Sequence, residues 1–164
     1  MKRYVELVAE ALTRVEEIMP WDLSKRLAMG GAPILLDVRE PAEWALLHIS
    51  GSINVPRGVL EQSCEWDFDE TVPLLATGRE SEIVVACRSA LAADMMKQMG
   101  FNNVVSLKTG VRGWNDFEQP LVDAANRPVD ADMAEALLAP RLRAEQRRPE
   151  TLLNKRGNPP PGVI

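Results

Sequence analysis

Four short apolar runs recur along this chain with helical patterns between them: Ile34-Leu-Leu-Asp-Val, Ser52-Ile-Asn-Val, Ile83-Val-Val-Ala and Val104-Val-Ser-Leu. Runs of this kind, short and rich in branched side chains, suit strands buried on both faces. Such strands form parallel sheets, whose successive members are joined by crossover helices. The connecting segments fit that reading. Pro41 to Leu47 is a helical pattern with proline in its first turn, and Ala90 to Met99 places Leu91, Met95 and Met99 on one stripe that Gly100 closes. The alternation predicts an α/β fold, a parallel sheet flanked by helices on both faces. Met95, Met96 and Met99 read as adaptable core filler rather than as metal ligands.

Extensions lie on either side. Val5, Val8, Leu12, Val15 and Ile18 follow a 3.6-residue period, which predicts one amphipathic N-terminal helix ended by Pro20. A short helix from Asp22 to Met29, with Asp22 as N-cap, is broken by Gly30-Gly31 and Pro33. Segment 61–82 reads as a loop followed by a short helix to Ala76, its run Glu61, Glu65, Asp67, Asp69 and Glu70 a solvated surface around Trp66 and Phe68. From Asp123 a tail begins. It is expected to hold a helix from Asp130 to Ala139, an interruption at Pro140, a second helix from Arg141 to Arg148 and an extended stretch at Asn158-Pro-Pro-Pro-Gly. The expected units are an extension at 1–19, a domain at 20–122 and a helical or disordered tail at 123–164.

Charge divides inside the tail. Residues 1–136 hold 13 Lys+Arg against 22 Asp+Glu, and residues 137–164 hold six against two. The acidic body argues against nonspecific nucleic-acid binding, and the basic tail reads mainly as a solvated helix face. Met133, Leu137, Leu138 and Leu142 in that tail suit docking on the body or on a second copy, so a homodimer through the tail is an expected partner state. No apolar run approaches a membrane span and no charged-then-apolar leader opens the chain, which leads to an expectation of a cytoplasmic protein with no membrane association. Two cysteines cannot form a disulfide framework, and one histidine with two cysteines at no ligand spacing predicts no metal and no cofactor.

Thiol chemistry remains for the cysteines. The run Ile83–Ala86 stops at Cys87, and a helix starts almost at once. A strand ending at the rim of a parallel sheet delivers its last side chain to where ligands bind, while the following helix aims unpaired N–H groups at it. Those donors favour an anion, so the placement predicts that Cys87 can sit as a thiolate near neutral pH. Cys64, in the acidic loop with no helix start beside it, reads as an inert thiol.

Five pieces then stand in order: Leu35-Leu-Asp-Val-Arg-Glu-Pro-Ala-Glu-Trp, His48-Ile-Ser-Gly-Ser-Ile-Asn-Val-Pro, the Cys87 turn, Gly100-Phe-Asn-Asn-Val-Val-Ser-Leu and Gly110-Val-Arg-Gly-Trp. Over about residues 20 to 120 they resemble a single-domain rhodanese, the sulfurtransferase-like α/β module. The resemblance implies that fold, and a cysteine that takes sulfane sulfur from thiosulfate or a low-molecular-weight persulfide and hands it to a thiol, cyanide or a sulfur-carrier protein. Cys87 occupies that cysteine's position, with no cofactor required. His48 and the Trp44 and Trp114 rings read as structural.

The chain departs from the family at that point. Family members run Cys-Arg-x-Gly-x-Arg-Ser before the helix, whereas this chain runs Cys87-Arg88-Ser89-Ala90-Leu91. About four residues fewer, at about 3.3 Å each, remove up to roughly 13 Å of contour. A turn this short cannot encircle a substrate group, which predicts fewer donors around the sulfur and a thiol pKa closer to the free value of about 8.5. Arg88-Ser89 stands either for the first arginine of the family turn or for its closing Arg-Ser pair; in the second case Ser89 is also a helix N-cap candidate and Arg88 an anion contact, and both are candidate substrate-binding residues. Asp37 and Arg39, which end the first strand on the same rim, and Glu43 on the next helix are candidate supports for the turn, with a structural ion pair as the alternative for Asp37. Two functions follow: a sulfurtransferase impaired by its short turn, or an inactive rhodanese-like binding or regulatory module.

Overall fold

A computed structural model of the chain describes residues 1–87 and 89–147. In order, the elements are α1 (Tyr4–Ala11), β1 (Glu16–Ile18), α2 (Pro20–Ala28), β2 (Ile34–Asp37), α3 (Pro41–Leu46), β3 (His48–Ile49), β4 (Ile53–Asn54), α4 (Leu60–Ser63) and α5 (Pro73–Ala76). They continue with β5 (Ile83–Ala86), α6 (Ser89–Gln98), β6 (Val104–Leu107), α7 (Gly110–Asp116), β7 (Leu121–Val122), β8 (Pro128–Val129) and α8 (Ala131–Leu138). Five strands form a parallel sheet in the order β1-β6-β5-β2-β4, and β3, β7 and β8 form a small antiparallel one.

All four residues of the middle strand β5 are buried, as an apolar run between two helical layers requires. Side chains alternate between those layers. Ile83 and Val85 join Leu36, Val55, Leu60, Met96 and Phe101 on one face. Val84 and Ala86 join Leu23, Leu35, Leu107, Val111 and Trp114 on the other. Met96 is fully buried and Met99 packs against the first layer.

The N-terminal helix is shorter than its apolar period suggests. It ends at Ala11, and Glu16–Ile18, expected to be helical, instead forms the edge strand β1 in register with Val105–Leu107. A helix would place Val15 and Ile18 on one stripe. In the extended chain they fall on opposite faces of the sheet, Val15 in the first layer and Ile18 in the second, so both apolar residues are buried. Arg14, in the intervening turn, grips Asp94 of α6 with a two-pronged contact at 2.7 and 2.8 Å. The next helix starts at Pro20, with Met19 rather than Asp22 at its cap.

The tail splits its apolar residues. Asp130 caps α8 by accepting from the backbone N–H groups of Asp132 and Met133, at 3.0 and 3.2 Å. Ala134, Leu137 and Leu138 pack on the second core layer, whereas Met133 and Leu142 are exposed. In place of the helix expected from Arg141, there is one 3-10 turn at Ala144–Gln146. Arg148 and Asn158-Pro-Pro-Pro-Gly lie outside the described residues.

Candidate functional site

Cys87 follows β5 directly and adopts φ +58°, the left-handed region that a non-glycine residue enters at a cost. Its sulfur accepts the backbone N–H of Val111, at the start of α7, across 3.3 Å. The approach is close because Gly110, at φ +61°, has no side chain. A β-carbon there would lie 2.9 Å from the sulfur and 3.2 Å from both the Cα and the N of Cys87. Neither Gly110 nor Val111 follows from the sequence as a site residue. The available signal is topological: β6 pairs beside β5, so the turn after β6 and the turn after β5 emerge on the same rim.

Asp37 and Arg39 form a buried ion pair on this rim. Arg39 Nε donates to both Asp37 oxygens at 3.0 and 3.1 Å, its Nη2 to Oδ2 at 2.6 Å and to the Leu47 carbonyl at 2.7 Å, and its backbone N–H to Oδ1 at 3.0 Å. Asn54 Nδ2 spans the Asp37 and Arg39 carbonyls at 3.0 and 2.9 Å, which fixes the end of β2. Burial alone would lower the Arg39 pKa, yet the Asp37 carboxylate more than offsets it and the pKa rises.

Burial also dominates at Cys87. It pushes the thiol above its ordinary value, against the Val111 N–H and the Arg39 charge that favour the thiolate. This direction is opposite to the thiolate expected near neutral pH; among the described residues the one donor to the sulfur is the Val111 N–H. Cys64 is fully buried and pushed further, to about 11, by the same cause.

The remaining candidates divide. Ser89 begins α6, but its hydroxyl is committed inward, 2.6 Å from Ser106 Oγ and 3.4 Å from the Leu107 carbonyl. Arg88 lies outside the described residues. Glu43 accepts the backbone N–H of Glu40 at 3.2 Å, at the start of its own helix. His48 is buried, stacked on Trp44 at 3.8 Å between ring centres and joined through Nδ1 to the Trp44 carbonyl at 2.9 Å. Trp114 is buried and donates to the Pro120 carbonyl at 3.0 Å. An open groove of about 600 Å³, lined by Glu17, Ile18, Asp22, Lys25, Arg26, Met29 and Gly31, contains none of these residues. Among the described residues no group of three or more His, Cys, Asp or Glu could hold a metal ion, and no helix is long and apolar enough to cross a membrane.

The thiol at the rim of the parallel sheet and the buried Asp-Arg pair both lie inside the segment that matches a family model. Residues 20–117 match the Rhodanese-like domain, and the chain belongs to that family. It is 30% identical over 103 residues to a Schizosaccharomyces pombe protein named "Putative thiosulfate sulfurtransferase, mitochondrial", across 58% of this chain and 72% of that one. It is 31% identical over 106 residues to "Probable adenylyltransferase/sulfurtransferase MoeZ" of Mycobacterium tuberculosis, across 63% of this chain and 25% of that protein, and so spans about a quarter of its length. Among solved structures, a Rhodopseudomonas palustris protein of unknown function, described as a possible tyrosine phosphatase, superposes with a TM-score of 0.67 at 25% identity. That match covers 73% of this chain and 94% of the other. Proteins named as sulfurtransferases are thus among those this chain resembles.

Proposed function

We propose that this chain carries sulfane sulfur as a persulfide on Cys87. The Cys87 thiolate attacks the outer sulfur of thiosulfate or of a small persulfide, the donor S–S bond breaks, and sulfite or the donor thiolate leaves with the electron pair. A thiol, cyanide or a sulfur-carrier protein then attacks the outer sulfur of the Cys87 persulfide, and Cys87 departs as the thiolate. The observation that carries this reading is the Cys87 sulfur held at the sheet rim by the Val111 N–H at 3.3 Å, a donor equally suited to the thiolate that leaves.

Arg88, next to Cys87 in sequence, is assigned to attract anionic donors, and Ser89 to hold the turn through β6 rather than by touching substrate with its hydroxyl. The Asp37-Arg39 pair braces the same rim. The short Cys87-Arg88-Ser89 turn makes transfer slow, because a protonated thiol must ionise first. A reducing compartment such as the cytoplasm suits a working thiol, and the exposed Met133 and Leu142 supply the remaining apolar contacts for a second copy.

The short Cys87-Arg88-Ser89 turn also favours a second reading, a rhodanese-like binding module without turnover. Incubation with thiosulfate, and separately with glutathione persulfide, followed by intact mass measurement separates the two. One sulfur atom gained on Cys87, absent in Cys87→Ser, retained in Cys64→Ser and released by cyanide, is the expected result. No gain from either donor leaves the binding module.

A further inference from the structure

The two turns that meet at Cys87 are joined a second time, out of reach of solvent. Ser89, two residues after Cys87, and Ser106, in the middle of β6, place their hydroxyl oxygens 2.6 Å apart. They are 8% and 2% exposed. Ser89 Oγ also lies 3.4 Å from the Leu107 carbonyl. Each hydroxyl owns one proton, and one arrangement gives each proton its own acceptor: Ser106 donates to Ser89, and Ser89 donates to Leu107.

The chain then runs from Leu107 through Lys108, Thr109 and Gly110 to Val111, whose N–H returns to the Cys87 sulfur at 3.3 Å. The contacts close a ring: Cys87, Ser89, Ser106 with Leu107, Val111 and Cys87 again. Two non-glycine residues of this ring, Cys87 and Thr109, sit at φ +58° and +63°. Such angles persist where the surroundings over-determine them. Packing alone does not require two hydroxyls here, since a pair of apolar side chains would occupy the same buried space with nothing to satisfy.

We propose that Ser106, acting through Ser89, is a positioning residue for Cys87: its hydroxyl locks the turn after β5 against the turn after β6 and thereby sets the contact between the Val111 N–H and the sulfur. Ser106 touches neither the sulfur nor a substrate. The proposal rests on the reading of Cys87 as the reacting sulfur.

The test follows the pH dependence of iodoacetamide alkylation, quantified on the Cys87 peptide of the full chain, for wild type, S106A, S89A and the double variant. Each single variant is expected to move the alkylation midpoint to higher pH and to slow sulfur loading by about tenfold, the scale set by one hydrogen bond acting on an ionised group. The double variant is expected to be no worse than the worse single one, because both remove the same link. S106T and S106V provide a matched pair of nearly equal shape, which also decides the matter should S106A not fold. Threonine keeps the hydroxyl and retains the wild-type profile, whereas valine shifts it. Superimposable alkylation profiles, fully additive effects, or equal behaviour of S106T and S106V overturn the proposal, even if melting temperatures fall. Failure of the wild type to take up sulfur counts instead against the sulfur-carrier reading, and the alkylation comparison stands without it.

Discussion

Gly110 and Cys87 share a contact that leaves no room for a side chain on the glycine. A β-carbon at Gly110 would lie 2.9 Å from the sulfur, and the backbone there is left-handed at φ +61°. Gly110→Ala therefore carries two penalties, about 1–2 kcal/mol for the conformation and a further displacement of the thiol. The expected outcome is a lower urea midpoint together with altered Cys87 alkylation. Stability and alkylation both equal to wild type would show that the turn relaxes freely.

Asp37 and Arg39 depend on each other. Asp37→Ala strands a guanidinium among buried atoms, a loss expected at about 3–5 kcal/mol. The double change Asp37→Leu with Arg39→Met removes both charges and is expected to recover much of that loss. Urea unfolding of the three proteins checks it, and a double variant no better than Asp37→Ala would assign the loss to packing.

Both thiols titrate above their ordinary value, which fixes the sign of the pH effects. At Cys87 the reactive thiolate gains population only as pH rises beyond the ordinary thiol value, so alkylation and sulfur loading are expected to climb through that range. A rate that levels off near neutral pH would contradict the burial argument. At Cys64 the folded protein holds the proton more tightly than the unfolded chain does. Its contribution to stability is complete below the ordinary thiol value and fades as pH rises towards about 11. The alkaline fall in melting temperature should be shallower in Cys64→Ala than in wild type; parallel curves would exclude the effect.

Asp94 works in the opposite direction. The Arg14 guanidinium holds its carboxyl below the ordinary 3.8, so that stabilisation is present above this value and fades as pH falls through the depressed one. Arg14 is half exposed and screened by solvent, so Arg14→Ala is expected to cost little at neutral pH. The difference from wild type should vanish in strong acid. A difference independent of pH would mean that the ion pair contributes nothing.

A tail-mediated dimer must rely on what the body leaves uncovered, since Leu137 and Leu138 already pack inward. Met133 is 59% exposed and Leu142 55%. Replacing both with glutamate is expected to convert a dimer to a monomer in light scattering. A wild-type monomer would dismiss the dimer outright.

The parts of the fold that are legible in the letters are those where one burial pattern admits one structure. Ile34–Asp37, Ile83–Ala86 and Val104–Leu107 are apolar enough to require two-sided cover, and each is a central strand. Val15 and Ile18 satisfy helical spacing and also alternate-face burial in an extended chain, and only pairing with Val105–Leu107 decides between them. His48–Ile49 and Leu121–Val122 are too short to carry a period and owe their pairing to tertiary packing. At the site, Cys87 is visible because it ends a run. Gly110 and Val111 lie more than twenty positions away, and Ser106 sits mid-strand among apolar neighbours, so the contacts they make arise from strand order rather than from spacing.

The middle position of β5 determines how a sulfur atom would change hands. Strands paired on both sides and covered on both faces open last in local unfolding, so their amides exchange slowest. Cys87 is anchored to the end of such a strand and cannot swing outward as a flexible arm would. Any acceptor must bring its own reacting atom to the rim, and a partner that offers this atom on a slender, extended segment meets that requirement better than one with a flat face.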